Sequence, residues 1–321
     1  MTPLRRGLLF AVLAPGLGAV GIALYLILGG RTGGWHWLVV KALYMLGPAL
    51  IAVAMARFID RRPVARTLGL ALPPNRHYLT AWLLPFALVG LTLLVSLALP
   101  GIHFSPDLSG ALEQLTGRLP PERLAEARLQ IARLGPPLLF LIQLAQALVA
   151  GLTINALFAM GEEAGWRGYL LRCWASLGFF RAAVAIGLVW GLWHAPLVLL
   201  GHNYPVHRRL GVLLFTLICV ELSILFLYVR IRARSTLAAA VMHGSLNACA
   251  GFAHAYVRGG DDLLVGVPGL AGLIALALAG LALWPLLHRQ RAAIDAALAE
   301  LAATDAGAPQ APQAPGDQPS T

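Results

Sequence analysis

Three short strings place ionisable and amide side chains inside stretches that are otherwise apolar: Gly161-Glu162-Glu163-Ala164-Gly165-Trp166-Arg167, Trp190-Gly191-Leu192-Trp193-His194 and His243-Gly244-Ser245-Leu246-Asn247. A charged side chain at the centre of a bilayer costs on the order of 3 kcal/mol by insertion scales, so such residues persist there with a partner or a task. Of the 14 acidic residues, 11 fall in loops, span ends or tails, which leaves Glu162, Glu163 and Glu221. Neighbouring glutamates on a helix diverge by about 100°. Arg167 follows Glu163 by four residues on one face, so these two can neutralise each other while Glu162 points elsewhere. His243 and Asn247 stand at i and i+4 and can aim two donors at one spot.

Taken singly, each string has a purely structural explanation. A Glu/Arg pair can close a helix end, and a lone histidine in a helix can donate to a backbone carbonyl. A His/Asn pair can be interhelical glue, worth about 0.6 kcal/mol per bond. Taken together, a carboxylate, two histidines and an amide on three spans supply the parts for hydrolysis. Glu162 with His194 would hold and deprotonate a water, and His243 with Asn247 would stabilise the oxyanion formed when that water adds to a peptide carbonyl. Other hydrolytic recipes find no support. There is no HExxH zinc helix and no GxSxG elbow. Ser245 lies at i+2 from His243 and points away from both partners, and Asp261 and Asp262 fall in a short loop after Gly259-Gly260. Cys173, Cys219 and Cys249, without CxxC spacing, imply neither a disulfide framework nor a structural zinc site.

The elements that must position these groups are membrane spans. The 321 residues are 59% hydrophobic and only 12% charged, with a mean hydropathy of +0.75. Soluble domains carry about twice that charge, so an all-α polytopic membrane protein with an intramembrane polar cavity is expected. A stretch of roughly 20 apolar residues crosses the hydrocarbon core. That ruler marks about eight transmembrane helices, near residues 8–28, 38–58, 79–99, 138–160, 183–200, 210–228, 237–256 and 264–287. The bilayer forbids unpaired backbone at lipid contact, and these unalternating runs are not barrel strands, so they are helices. Lys and Arg divide 15 against 9 between the two sides, which places both termini in the cytoplasm. Scattered between apolar runs, the 24 cations behind the net charge of +10 are membrane flanks and not a nucleic-acid groove. Residues 100–136 lie outside the bilayer and hold a short amphipathic helix around Glu122–Leu129, read as a connector. Residues 1–302 form the transmembrane domain, and the Ala/Pro/Gln-rich tail 303–321 is expected to be a disordered cytoplasmic segment.

The ordered set Glu162-Glu163-x-x-x-Arg167, Trp190-x-x-x-His194 and His243-x-x-x-Asn247 resembles the three motifs of the CPBP family. These are the CAAX proteases and bacteriocin-processing enzymes, also called Abi or Rce1-like intramembrane proteases. The wider strings "GEEAGWRGYL" and "WGLWHAP" look like its bacterial GEExGWRG branch, and the likeness covers roughly residues 140–256. The resemblance implies an intramembrane endopeptidase in which Glu162 and His194 activate water and His243 and Asn247 form the oxyanion hole, with Glu163, Arg167 and Trp190 in support. It implies a membrane-associated peptide or protein substrate, CAAX-like or bacteriocin-like, and residence in a bacterial plasma membrane. Two residues depart from the pattern: Trp190 stands where Phe is more common, and Arg172 where many relatives have proline.

The family's metalloprotease label would make Glu162, His194 and His243 ligands of a divalent ion such as zinc. Asparagine is a poor zinc ligand, and a His/Asn pair at i,i+4 suits hydrogen-bond donation, so the residues themselves favour a metal-free glutamate mechanism. The rival class is a non-catalytic transporter or scaffold that keeps the polar cavity; the absence of an internal repeat weighs against transport. Glu221, midway through its span, either faces the cavity and binds substrate or sits protonated against a neighbouring helix, the second being favoured, and Lys41 is read as snorkelling to a span end.

Overall fold

A computed structural model of the chain describes residues 1–116 and 120–306. It is a helical bundle with eleven principal helices among the described residues. In chain order these are α1 (Pro3–Ile27), α2 (Gly34–Ala54, extended by a π-helical turn Met55–Ile59), α3 (His77–Ala98), α4 (Pro121–Leu134), α5 (Pro136–Leu152) and α6 (Ile154–Glu163). They are followed by α7 (Phe179–Trp193), α8 (Arg208–Ala233), α9 (Thr236–Cys249), α10 (Leu270–Arg289) and α11 (Arg291–Ala306). A two-residue antiparallel pairing of His103–Phe104 with Val257–Arg258 ties two loops together.

Six helices are long and apolar enough to cross a membrane unaided: Pro3–Ile27, Gly34–Ile59, His77–Ala98, Phe179–Leu199, Arg208–Ala233 and Leu270–Arg289. They make the chain a multi-pass membrane protein. The other two stretches marked on the sequence are shaped differently. The run 138–160 is not one rod: it breaks at Thr153 (φ −117°, ψ −102°), whose hydroxyl turns back onto the Val149 carbonyl at 2.8 Å. The run 237–256 yields only the 14-residue α9 before the chain turns at Gly251. Both short helices are packed among the longer ones, which satisfy the lipid-facing length that α6 and α9 lack.

The amphipathic segment is the 14-residue α4, with no buried side chain, bent 106° from α5. Proline begins both helices, at Pro121 and Pro136, where its missing N–H is not needed. The tail expected from 303 onward is helical through Ala306, and residues 307–321 lie outside the described residues. The three cysteines are buried, and no disulfide joins them.

Glycine sets the spacing of the central helices. A methyl group on Gly187 would come within 2.5 Å of Val220 Cα, and one on Gly191 within 2.6 Å of Thr216 Cα, so α7 and α8 meet at backbone distance. On Gly161 it would meet the Met45 carbonyl at 2.6 Å, and on Gly244 the Ala156 amide at 2.4 Å. Gly187-x-x-x-Gly191 and Gly161-x-x-x-Gly165 are thus small-residue stripes of the kind that lets membrane helices approach closely. Because the obstructing atoms at Gly244 are backbone, Gly244→Ala is expected to cost about 1–3 kcal/mol, seen as a lower Tm in detergent. Gly90→Ala, on α3 with nothing within 4 Å, should leave Tm unchanged or raise it slightly.

Candidate active site

The three polar strings meet where α6, α7 and α9 pack together. Glu162 and Glu163 end α6, and the chain continues without a break into a π-helical segment, Ala164–Leu170. One such wide turn shifts the register of the residues after it, a device frequent at functional sites. Arg167 lies inside that segment yet still reaches Glu163: its Nη1 donates to Glu163 Oε1 at 3.0 Å. Both side chains are 0% exposed. The Arg167 guanidinium sits between two aromatic faces, 4.3 Å from the Trp190 ring and 4.6 Å from that of Phe226. His243 Nδ1 also donates to Glu163 Oε1, at 2.8 Å. A single carboxylate therefore joins the end of α6, the π-helical segment and α9.

Glu162 faces the other way. Its Oε2 accepts from Trp190 Nε1 at 2.7 Å, and it is only 2% exposed. His194, the residue after α7, is oriented by Nδ1 donating to the Trp190 carbonyl at 2.8 Å. Trp190 thus serves both groups: its ring nitrogen holds the carboxylate and its carbonyl holds the imidazole. An aromatic four residues before the histidine was legible in the sequence, but this indole donor was not. A phenylalanine there would keep the packing and lose the bond to Glu162.

Glu162, Trp190, His194, His243 and Asn247 line one cavity of about 470 Å³. Asn247 is exposed, one turn beyond the buried His243 on the same helix. Asn155, Lys41 and His202 also line the cavity. Sequence reasoning did not assign these three to it, because each lies outside the motif strings; only the helix break before Asn155 turns it inward. His202, in the loop after α7, is held neutral by burial, which pushes it down to about 4, with the Lys41 ammonium adding to the effect. Two other residues lie elsewhere. Ser245 packs against Gly151 of α5, and Glu221 does not border the cavity; its Oε2 is buried without a partner among the described residues.

The mouth is marked by half-buried Lys41 and His202 and exposed Asn203. These stand at the end of the bundle where α2, α8 and α10 begin. The cations Arg57, Arg61, Arg62, Arg230, Arg232, Arg234 and Arg289 lie where the same helices finish, so the cavity opens at the arginine-poor end.

A zinc ion stands about 2.0–2.2 Å from each ligand, which brings its ligand atoms to about 3.5 Å from one another. Glu162, His194 and His243 do not offer one ligand atom each within 4.8 Å as a set; among the described residues only His207, Asp261 and Asp262 do. The cavity residues as arranged do not fit a tightly held metal. The second cluster is internally satisfied: Asp262 accepts from His207 Nδ1 at 2.6 Å and from the Val206 and His207 amides. Burial pushes the Asp262 carboxyl up, but these hydrogen bonds outweigh it and hold the group below the usual carboxylate range. The bond from His207 to Asp262 in turn raises His207.

Removing one member of a buried ion pair leaves the other uncompensated. Arg167→Met should therefore destabilise the fold by about 3–5 kcal/mol in thermal or denaturant unfolding. His194→Ala, which strands no charge, should cost markedly less.

Residues 138–249 match the family model described as Rce1-like, type II CAAX prenyl endopeptidase Rce1-like. Over 69 residues the chain is 36% identical to a CAAX prenyl protease 2 of Methanococcus maripaludis. That stretch is 21% of this chain and 21% of the relative, so the chain spans about a fifth of the length of the curated protein it matches. All three polar strings fall inside residues 138–249, the region that matches the Rce1-like model.

Proposed function

We propose that this protein is an intramembrane endopeptidase that hydrolyses a peptide bond with a water activated by Glu162 and His194, without a metal. The observation that carries the reading is the convergence of Glu162, His194 and the His243/Asn247 pair of α9 on one cavity from three parts of the bundle.

The hydrogen bonds support a distinct part for each group. His194 donates from Nδ1 to the Trp190 carbonyl, so in its neutral form Nε2 is left as an acceptor for a water proton. Glu162 has one oxygen held by Trp190 and one left to take the other proton. The water oxygen adds to the scissile carbonyl carbon as its proton passes to Glu162. His243, already donating from Nδ1 to Glu163, donates again from Nε2 when protonated on both nitrogens, and the Asn247 amide supplies a second donor to the developing oxyanion. On collapse the C–N bond breaks, and the proton on Glu162 passes to the departing amine. The buried Glu163–Arg167 pair holds His243 in place through the shared Glu163 Oε1.

The substrate is a membrane-associated peptide or protein. With both termini cytoplasmic, a mouth at the arginine-poor end opens away from the cytoplasm. This favours an exported or membrane-embedded peptide over a cytoplasmic prenylated CAAX terminus, the class named by the Methanococcus relative.

In a cleavage assay with purified protein and a peptide library, Glu162→Gln and His194→Ala should each abolish cleavage while leaving Tm near wild type. Cleavage by either variant equal to wild type would contradict the roles given to Glu162 and His194, and no cleavage by wild type would leave a non-catalytic membrane protein as the better reading. Trp190→Phe should lower kcat about ten- to hundredfold with KM little changed, the worth of one hydrogen bond to a carboxylate. Activity should survive 1,10-phenanthroline; its loss, restored by zinc, would contradict the metal-free step. Asn203→Cys in intact cells should react with a membrane-impermeant maleimide added outside. Labelling only after the cells are opened would reverse the orientation and restore a cytoplasmic CAAX substrate.

A further inference from the structure

A second cavity, of about 200 Å³, lies at the opposite, arginine-rich end of the bundle. Four arginines from three parts of the chain line it: Arg66 in the short helix Val64–Thr67, Arg172 after the π-helical segment, and Arg230 and Arg234 at the end of α8. The far wall is α11, where Glu300 is the one carboxylate among the described lining side chains. Arg172 is engaged with α11, donating to the Thr304 carbonyl at 2.9 Å.

Arg230 sets this cavity apart from an ordinary cationic rim. It is only 5% exposed, and its Nε is fixed by the Arg167 carbonyl at 3.1 Å and Thr236 Oγ1 at 2.9 Å. Among the described residues neither of its Nη groups has a hydrogen-bond partner, and no described carboxylate pairs with it. A buried guanidinium with no counter-anion is among the costlier arrangements a protein can hold. The local backbone is built to admit it. Gly69, also on the cavity wall, has φ +65°, a conformation that L residues rarely adopt, and a methyl group there would fall 2.3 Å from Arg230 Nη2. The open edge of the guanidinium therefore lies at the wall beside Gly69, with exposed Arg66 and Arg234 nearby.

We propose that this cavity binds a phosphate group, held on the Nη edge of Arg230 and closed over by Arg66 and Arg234. Guanidinium forks match phosphate oxygens bidentately, and several converging on a small pocket select a compact polyanion over chloride. The group comes either from a phospholipid headgroup at the membrane surface or from a soluble phosphoryl compound; the chemistry of recognition is shared. The proposal is independent of the peptidase reading, and its test needs no turnover.

Full-length protein in dodecyl maltoside and phosphate-free buffer is titrated with inorganic phosphate, with sodium chloride at matched ionic strength, and with mixed micelles containing dioleoylphosphatidylglycerol, following Tm. Wild type should show a saturable rise with phosphate or with the phospholipid that chloride does not reproduce. The double variant Arg66→Gln/Arg234→Gln removes two exposed side chains that have no partner among the described residues, and it should keep the fold. It should bind about tenfold or more weakly, as expected from losing charged hydrogen bonds. Arg230→Gln should abolish the shift. A rise with free phosphate at lower concentration than with lipid identifies a soluble ligand; a rise with lipid alone identifies a headgroup. No shift in either arm, a shift equalled by chloride, or an unchanged shift in the double variant would overturn the proposal.

Discussion

A guanidinium buried among membrane helices must be neutralised on the spot, and the arrangement around Arg167 follows from that need. Water cannot reach it, so Glu163 must lie beside it, and the rings of Trp190 and Phe226 must cover the faces that Glu163 leaves open. Once Glu163 is committed to Arg167, its same oxygen takes His243, which fixes α9 against α6. Trp190, positioned by its contact with the guanidinium, then has its indole nitrogen aimed at Glu162 and its carbonyl at His194. The groups assigned to catalysis are thus oriented through a structural ion pair that lines none of the cavity itself.

This network requires helices closer together than ordinary side chains permit. Gly161, Gly187, Gly191 and Gly244 each stand where a methyl group would strike a neighbouring backbone, and they bring α6, α7, α8 and α9 within hydrogen-bonding reach of one another. In lipid there is little hydrophobic gain from pressing apolar helices together, so close packing and polar contacts supply the association. The short lengths of α6 and α9 are tolerable for the same reason: the long helices around them face the lipid.

Much of this was legible in the sequence. The apolar runs announce spans, and the i,i+4 spacings of Glu163/Arg167 and His243/Asn247 survive into the structure as shared faces, even through a π-helical turn that the spacing does not reveal. What could not be read is of two kinds. Breaks in hydrophobic runs, as at Thr153 and Gly251, carry no strong signal because threonine and glycine are ordinary in membrane helices. Contacts made by residues outside any motif, such as Lys41, Asn155 and His202 at the cavity or Arg66 and Arg230 at the opposite end, depend on which helices become neighbours, and one chain's pattern does not specify that. The glycine stripes were visible as spacing and would have pointed to the helix pairs.

The central claim is that four polar groups from three parts of the bundle act on one reacting carbonyl. It is tested most directly by an experimental structure with a bound peptide whose scissile bond is replaced by a tetrahedral phosphinate. The account predicts one phosphinate oxygen within about 2.7–3.1 Å of both His243 Nε2 and Asn247 Nδ2, and the other against Glu162 and His194. A phosphinate bound with Glu162 and His243 on the same oxygen, or seated outside the cavity altogether, would contradict it.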